Sequence, residues 1–390
     1  VAKRYVCEER LLTMLGAECD QLMKILPQKN KESRFFAFCN TVESLNYHKT
    51  NQGQGWVGIR FQMHLGGPVN DIILHIRMHD NSHKAQQEAL GILGVNLIYT
   101  SFFYEEGIDS FLDSLVHRLP RDRMEIDMLS VSGPDFENVD NRMLALNLVR
   151  RGITDATLFD LAKNVLQPST ALYKKNILLM RGRFRPVTNV HIDMIEKGRL
   201  EFLKEKSVKA ENVELILEFT LKDLTADGKI SDKDFVDRVD LLSSLGYTVM
   251  ISNFLKHYKM LEYLSTIGKG NLMGLILGVY NLQAIFDERY YDNLPGGLFE
   301  AFGRGFGHKV KLFLYPAINV DDGSLYDIDT IRIPDNLRGL LKYMIDNDKI
   351  APIVEYDKNY LHIMSDDVLS KIKSGGTSWE EDVPYQVVKA

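Results

Sequence analysis

The sequence predicts an α/β protein of two domains, an α+β domain over residues 1–168 and a Rossmann-like domain over residues 169–390. Three observations predict this organisation. The chain has 390 residues, which is more than one hydrophobic core usually serves. In its first part, neighbouring strand-like runs come before helices, as is typical of α+β domains. From Asn176 onward, apolar runs of strand length alternate with helix-like segments, which predicts a parallel sheet with helices on both faces.

The composition narrows the class of protein. Hydrophobic residues make up 45% of the chain and charged residues 26%, as in ordinary globular proteins. No apolar run approaches about 18 residues, so we expect no membrane span. The net charge of −6 argues against a nucleic acid partner. The three cysteines, Cys7, Cys19 and Cys39, form no C-x-x-C pair, which predicts reduced thiols in a cytoplasmic protein. No signal peptide is visible after Val1, and the sequence leaves open whether a targeting segment precedes Val1.

The N-terminal domain starts with a helix predicted over residues 1–30, where leucines recur at helical spacing. The run Trp56–His64 alternates apolar and polar residues, which predicts an antiparallel strand with one face in solvent. The turn at Gln167–Ser169 marks the interdomain break. The patterns predict strands at Phe35–Cys39, Trp56–His64, Asp71–Met78 and Met124–Val131, and helices at Lys84–Tyr104, Ile108–Arg118 and Val139–Arg151.

Three histidines of this domain have a spacing that a metal site could use. On one continuous helix, His75, His79 and His83 would share a face. However, His75 lies in an apolar strand-like run, and the turn residues Asp80–Ser82 are suited to cap the helix that follows. We therefore predict no metal site here.

In the C-terminal domain each predicted strand is followed by a predicted helix. The patterns predict strands at Ile177–Met180, Val213–Phe219, Thr248–Ser252, Leu272–Leu277 and Val310–Tyr315. They predict helices at Val190–Lys206, Asp232–Leu245, Phe254–Thr266, Leu282–Tyr290, Leu298–Phe306, Asp335–Asp346 and Asp366–Ser374. In open sheets of this kind, ligands bind beyond the carboxyl ends of the strands.

The loop between the first strand and the first helix of this domain is the strongest candidate site. A helix start leaves backbone N–H groups unpaired and carries partial positive charge, so it attracts anions. Arg181, Arg183 and Arg185 alternate along the loop. Three guanidinium groups on one side favour phosphate capture, and structural pairing with acidic residues is the competing interpretation.

The residues Gly182, Phe184, Pro186, Thr188 and His191 of this loop resemble the G-x-F-x-P-x-[HT]-x-G-H signature of the nucleotidyltransferase superfamily. That superfamily includes the nicotinate- and nicotinamide-mononucleotide adenylyltransferases and pantetheine-phosphate adenylyltransferase. The whole chain also looks like a group of uncharacterised bacterial proteins with adenylyltransferase-type names. The resemblance implies a Rossmann-like fold that binds ATP with Mg²⁺.

The resemblance also implies an activity and roles for residues. The reaction would transfer the adenylyl group of ATP to a phosphorylated, mononucleotide-like acceptor and release pyrophosphate. His191 would stabilise the transition state, with Thr188 and Arg183 or Arg185 assisting. Gly182, Phe184 and Pro186 of the loop scaffold would contribute to ATP binding.

A second, weaker similarity lies near the C-terminus, where the family binds the ATP phosphates with a serine/threonine cluster and a basic residue. Ser365 and Lys371 match this layout, while Asp366 and Asp367 take hydroxyl positions. The first motif also departs from the family, since Val190 stands where the family has glycine. Two carboxylates at a helix start suit the helix dipole as caps, and they repel a triphosphate.

These departures leave further interpretations open. One alternative is a degenerate nucleotide fold that acts as a binding or self-assembling protein, such as a homo-oligomer. Another is a different enzyme that uses Glu218, Lys222 and Ser252 at the strand ends. In each case we expect no metal ligands in the protein itself.

Overall fold

The computed structural model describes residues 5–26, 33–103, 107–226, 229–307 and 309–389. The chain divides into two compact units. The first, called the N-terminal unit below, runs to Thr157 and includes Asn164–Gln167. The second, called the C-terminal unit, comprises Leu158–Lys163 and the chain from Pro168 onward.

The N-terminal unit contains a four-stranded antiparallel sheet in the order β1-β2-β3-β4. Its register places Phe36 opposite Phe61, and Val57 opposite Leu74. The sequence predicted each of these strands and helices, and their ends differ by a few residues. The elements are α1 (Glu8–Ile25), β1 (Phe36–Glu43), β2 (Gly53–Gln62), β3 (Val69–Met78), α2 (His83–Ser101), α3 (Ile108–Leu115), β4 (Met124–Ser132) and α4 (Asn141–Arg150). The ends predicted at residues 1–4, 27–30 and Tyr104 lie outside the described residues.

The prediction that one face of β2 lies in solvent was wrong, because both faces of this strand are covered. Val57 and Ile59 are buried in the larger hydrophobic core of the unit. On the other face, Leu11 and Leu15 of α1 pack in a second core with Trp56. A strand that alternates polar and apolar residues can therefore be buried on both faces. This requires a helix that packs on the polar face, where the residues are small or are polar and have bonding partners.

The C-terminal unit is built on a parallel sheet. Six of its strands follow the order β16-β13-β12-β7-β8-β11, and each of the five neighbouring pairs is parallel. Leu179 of the central strand β7 lies between Leu275 and Ile216. Since all these strands run in one direction, their carboxyl ends meet at one edge of the sheet.

Five strands of this part of the chain, β7, β8, β11, β12 and β13, match the predicted apolar runs closely, and its other strands were not predicted. Two short strands, β5 (Ala156–Phe159) and β6 (Val165–Leu166), lie where the chain passes between the units. The remaining strands are β7 (Asn176–Arg181), β8 (Val213–Thr220), β9 (Thr225–Ala226), β10 (Lys229–Ile230), β11 (Thr248–Ser252), β12 (Met273–Gly278), β13 (Val310–Tyr315), β14 (Ala317–Ile318), β15 (Leu325–Tyr326) and β16 (Ile350–Pro352).

The helices of the C-terminal unit connect these strands. They are α5 (Pro168–Ala171), α6 (Asn189–Leu203), α7 (Asp232–Ser244), α8 (His257–Gly268), α9 (Val279–Ile285), α10 (Gly297–Phe306), α11 (Arg338–Asp346), α12 (Ser365–Lys373) and α13 (Tyr385–Lys389). Across the described ranges, no helix combines the length and the apolar character that crossing a bilayer requires.

Candidate functional site

A cavity of about 650 Å³ lies beyond the carboxyl ends of β7, β8, β11 and β12 in the C-terminal unit. This is the edge at which parallel sheets bind ligands, and the volume is within the range of about 300–1,000 Å³ found for small-molecule sites. Its wall includes the loop after β7, the starts of α8 and α12, and His191 of α6. The wall segments are Met180–Arg185, Leu255–His257, Leu277–Asn281 and Ile363–Asp366, joined by Thr220, Lys222, Asp223, His191, Met194, Tyr290 and Ala317.

The loop after β7 folds back so that one of its side chains supports the histidine. Phe184 has a φ of +48°, which turns the chain, and its ring is buried against His191 with ring centroids 5.4 Å apart. Gly182 passes close to this ring, since a Cβ atom at Gly182 would lie 3.1 Å from Phe184 Cζ. The bond between Arg185 and Pro186 is cis. The scaffold residues of the loop thus shape the site, and Gly182 and Phe184 also line the cavity.

His191 is held as a neutral hydrogen-bond donor. The backbone N–H of Thr188 donates to His191 Nδ1 over 3.1 Å, so this nitrogen carries no proton and the ring proton lies on Nε2. Burial lowers the pKa of His191 to about 4, which keeps the ring neutral at pH 7. Thr188 is fully buried and is not among the residues that line the cavity. Thr188 therefore orients the imidazole, and His191 presents its Nε2–H to the ligand space.

The two motif segments meet in space. Ser365, at the start of α12, places its Oγ 3.5 Å from His191 Nε2, although the two residues are 174 positions apart. Both residues line the cavity. The segment that follows also reaches the start of α6, since the side chain of Asn189 donates to the carbonyl of Glu381 over 2.9 Å. The structure thus brings together the two candidate phosphate-binding segments.

Lys371 and Pro186, to which the resemblance gave a part in ATP binding, do not line the cavity, and neither does Val190. Lys371 pairs with Asp382 at 2.8 Å and is not among the cavity-lining residues. Its ammonium group ties α12 to the following segment, so we assign it no ligand. Val190 and Pro186 are half-buried and are also not part of the cavity wall. The bulk of Val190 therefore does not occupy the described ligand space.

The first of the three loop arginines is in a buried ion pair. Arg181 makes two hydrogen bonds to Glu218, at 2.5 and 2.8 Å, and Glu218 is fully buried. Ser252 Oγ donates to the same carboxylate over 2.5 Å. The pair neutralises the charge of Arg181, so the structural interpretation holds for this arginine. Glu218 and Ser252 are likewise occupied by this network.

The other two arginines are more exposed and form weaker pairs. Arg183 pairs with Asp366, and both side chains are more than half exposed. Arg185 approaches Asp234 at 3.3 Å, and Asp234 also receives two hydrogen bonds from the buried Arg238. Exposed ion pairs contribute little stability and exchange partners readily. Arg183 and Arg185 therefore lie at the cavity with charges that an anionic ligand can recruit.

Several cavity residues were not predicted from the sequence. His257, the first residue of α8, lines the cavity, and its Nδ1 is buried with no hydrogen-bond partner among the described atoms. Burial and the charge of Arg181 lower the pKa of His257 to about 3. Lys256 precedes it, with its ammonium 3.3 Å from the centre of the Tyr290 ring. The one available signal was the place of both residues in the first turn of a predicted helix that closely follows a predicted strand.

The described residues offer no preformed metal site. Among them, no group of three or more His, Cys, Asp or Glu side chains is placed to hold an ion. In the N-terminal unit, His75 instead pairs with Asp127 at 2.6 Å, and Ser82 caps α2 by accepting the N–H of Ala85. A divalent cation in the cavity would need oxygen ligands from a bound molecule.

Comparison with known proteins identifies no family. A scan of the sequence against models of protein families finds no match, and a search of curated proteins finds no similar sequence. The geometry of the cavity is therefore the basis for a functional proposal.

Proposed function

We propose that the C-terminal unit has a Rossmann-like nucleotide fold that binds ATP in this cavity and transfers its adenylyl group to a phosphorylated small molecule, releasing pyrophosphate. One observation carries the proposal: a neutral histidine with a fixed Nε2–H and a serine hydroxyl meet at the carboxyl edge of a parallel sheet. Hydrogen-bond donors at such an edge suit the oxygens of a phosphate chain. The resemblance of the Gly182–His191 loop to the nucleotidyltransferase signature supports the same assignment.

In this reaction an oxygen of the acceptor phosphate attacks the α-phosphorus of ATP. The bond from the α-phosphorus to the bridging oxygen breaks, and pyrophosphate leaves with the electron pair. Negative charge develops on the phosphate oxygens, so catalysis depends on position and on electrostatic stabilisation. His191 donates its Nε2–H to a phosphate oxygen, and Arg183 and Lys222 contribute positive charge at the wall.

Magnesium would accompany the nucleotide. When bound, Mg²⁺ neutralises part of the phosphate charge, and it commonly uses phosphate oxygens with one or two carboxylates as ligands. Asp223 and Asp366 are the carboxylates of the cavity wall, so its chemistry fits such an ion.

A second candidate function is nucleotide binding without turnover, in a binding or self-assembling protein. The observation that favours it is that carboxylates already engage the loop arginines, Asp366 on Arg183 and Asp234 on Arg185. A site with less free positive charge holds a nucleotide while stabilising a transition state poorly.

The test is a titration of the purified protein with ATP in the presence of magnesium, with the binding heat measured by calorimetry. We expect His191→Ala to weaken binding by about tenfold or more, since a hydrogen bond to a charged group contributes about 1.5–3 kcal/mol. His117→Ala, which removes an exposed histidine of the N-terminal unit, is the matched control. Equal affinity of wild type and His191→Ala would contradict the proposal.

Turnover separates the two candidate functions. Pyrophosphate release is measured with nicotinate mononucleotide, nicotinamide mononucleotide and phosphopantetheine as acceptors. Release that falls by about 10²–10³-fold in His191→Ala supports adenylyl transfer. Saturable ATP binding without release supports the binding protein.

A further inference from the structure

Asp366 is the one residue of the second motif segment that places a carboxylate on the described cavity wall. It lines the cavity beside Ser365 and pairs with Arg183 across from it. The carboxylate therefore occupies the guanidinium that a phosphate group would otherwise use. A ligand phosphate must displace Asp366 from Arg183 or bind close to its negative charge.

The neighbouring Asp367 provides a natural comparison. Both carboxylates lie in the first turn of α12 and both side chains are exposed. Asp367 is not among the residues of the cavity wall, and no ion pair is found for it in the described part of the chain. The two residues share helix position, charge and exposure, and differ in their relation to the cavity.

We infer that Asp366 determines the charge preference of the site: it weakens the binding of a free polyphosphate anion and so selects the magnesium chelate of the nucleotide. The inference rests on the proposed nucleotide site. Magnesium cancels two of the charges that Asp366 repels, so the chelate loses less affinity than the free anion. Both members of the pair are exposed, which limits the effect to a modest factor that falls as salt rises.

The experiment measures dissociation constants at low ionic strength for ATP in EDTA and for ATP in excess magnesium. We expect Asp366→Asn to tighten binding of free ATP by about fivefold and of the magnesium chelate by about twofold or less. Asp367→Asn, with the same loss of charge from the same helix turn, leaves both constants within about twofold. AMP, which carries fewer charges, responds less than ATP.

A double substitution tests whether the effect passes through Arg183. In an Arg183→Gln background the Asp366 carboxylate has lost its counter-charge and still repels the ligand, so we expect Asp366→Asn to tighten free ATP by more than it tightens the magnesium chelate; an equal effect on both would overturn direct repulsion by Asp366. Arg183 is more than half exposed, so its replacement leaves the fold intact.

The outcomes separate this inference from the proposed function. If the wild type binds ATP and Asp366→Asn changes nothing, or if Asp366→Asn and Asp367→Asn act equally, the charge-selection role of Asp366 is overturned and the nucleotide site stands. If neither the wild type nor Asp366→Asn binds ATP with or without magnesium, the nucleotide site itself is overturned, and this inference with it.

Discussion

Two polar clusters of this protein, one in each unit, use similar residues in opposite ways. In the N-terminal unit, His75, Asp127 and Gln167 are each at most 5% exposed, and they bond to one another. In the C-terminal unit, His191 and Ser365 line an open cavity and lie 3.5 Å apart, at the limit of a hydrogen bond.

The two clusters differ in how completely the hydrogen-bonding groups of each are paired within the protein. A buried polar group needs its partners inside the protein, and removing one partner leaves the other desolvated and unpaired. A polar group at a cavity can leave hydrogen-bonding capacity for a ligand. We therefore expect the first cluster to affect stability and the second to affect binding.

The largest expected effect is the removal of Asp127. Asp127→Ala removes a carboxylate that is the partner of two buried groups, His75 at 2.6 Å and the Gln167 amide that donates to Asp127, and we expect a loss of about 3–5 kcal/mol in the free energy of unfolding. Denaturant unfolding measures it, and Glu137→Ala, at an exposed carboxylate of the same unit, is the control with little change. A loss below about 1 kcal/mol would show that the cluster does not stabilise the unit.

The second prediction concerns the stability of the protein at acidic pH and the role of Glu125, which lies near Asp127 on β4. Burial raises its pKa, but the hydrogen bond with His79 and the charge of Arg77 outweigh burial and hold the pKa at about 2. A carboxyl whose pKa is lower in the folded protein stabilises the fold at pH values above its unfolded pKa of 4.5. We expect about 3 kcal/mol of this stability to disappear as the pH falls from about 5 to about 2. Urea unfolding across this range should show a flatter profile for Glu125→Gln, and an identical profile would contradict the prediction.

The third prediction converts a structural pair into a free charge at the cavity. Glu218→Gln removes the buried carboxylate that neutralises Arg181, and we expect a loss of about 2 kcal/mol in stability. The uncompensated guanidinium should at the same time strengthen ATP binding. Unfolding and titration on the same sample measure both, and a variant with wild-type stability would contradict the assignment of Arg181 to the fold.

The smallest effect is expected at Ser365. Its contact with His191 Nε2 is long, so Ser365→Ala should weaken ATP binding by about threefold and leave stability within about 0.5 kcal/mol. Ser370→Ala, on the same helix and away from the cavity wall, should change neither. A loss of stability in Ser365→Ala well above about 0.5 kcal/mol would contradict the expected difference between the two clusters.

Most of the sheet strands could be predicted, because an apolar run of five or six residues bounded by turns is typical of a strand that is buried in a parallel sheet. Thr248–Ser252 and Val310–Tyr315 have the predicted ends. The strand Ile350–Pro352 was missed because three residues with a proline carry no periodic pattern. The burial of both faces of β2 also depends on where α1 packs, which local patterns do not reveal.

The sequence could predict which segments form the candidate site, but it could not predict which of their side chains contact one another. The Gly182–His191 loop followed from its residue types and from the resemblance to the nucleotidyltransferase signature, and Ser365 followed from the resemblance alone. The pairing of Arg183 with Asp366, 183 positions away, depends on how the whole C-terminal unit folds. His257 escaped notice because a single histidine at a helix start resembles many surface residues, and its cavity position appears only in three dimensions.

In the proposed reaction, the hydrogen bond from the Thr188 backbone to His191 Nδ1 would also restrict which molecules can act as nucleophile. With Nδ1 occupied and Nε2 protonated, this imidazole has no lone pair to accept a proton. An alcohol or amine that must lose a proton gains no help from it, whereas a phosphate monoester already carries about −1.5 to −2 charge at pH 7. If the proposed reaction takes place, the backbone at the start of α6 thus favours nucleophiles that are already ionised when they bind.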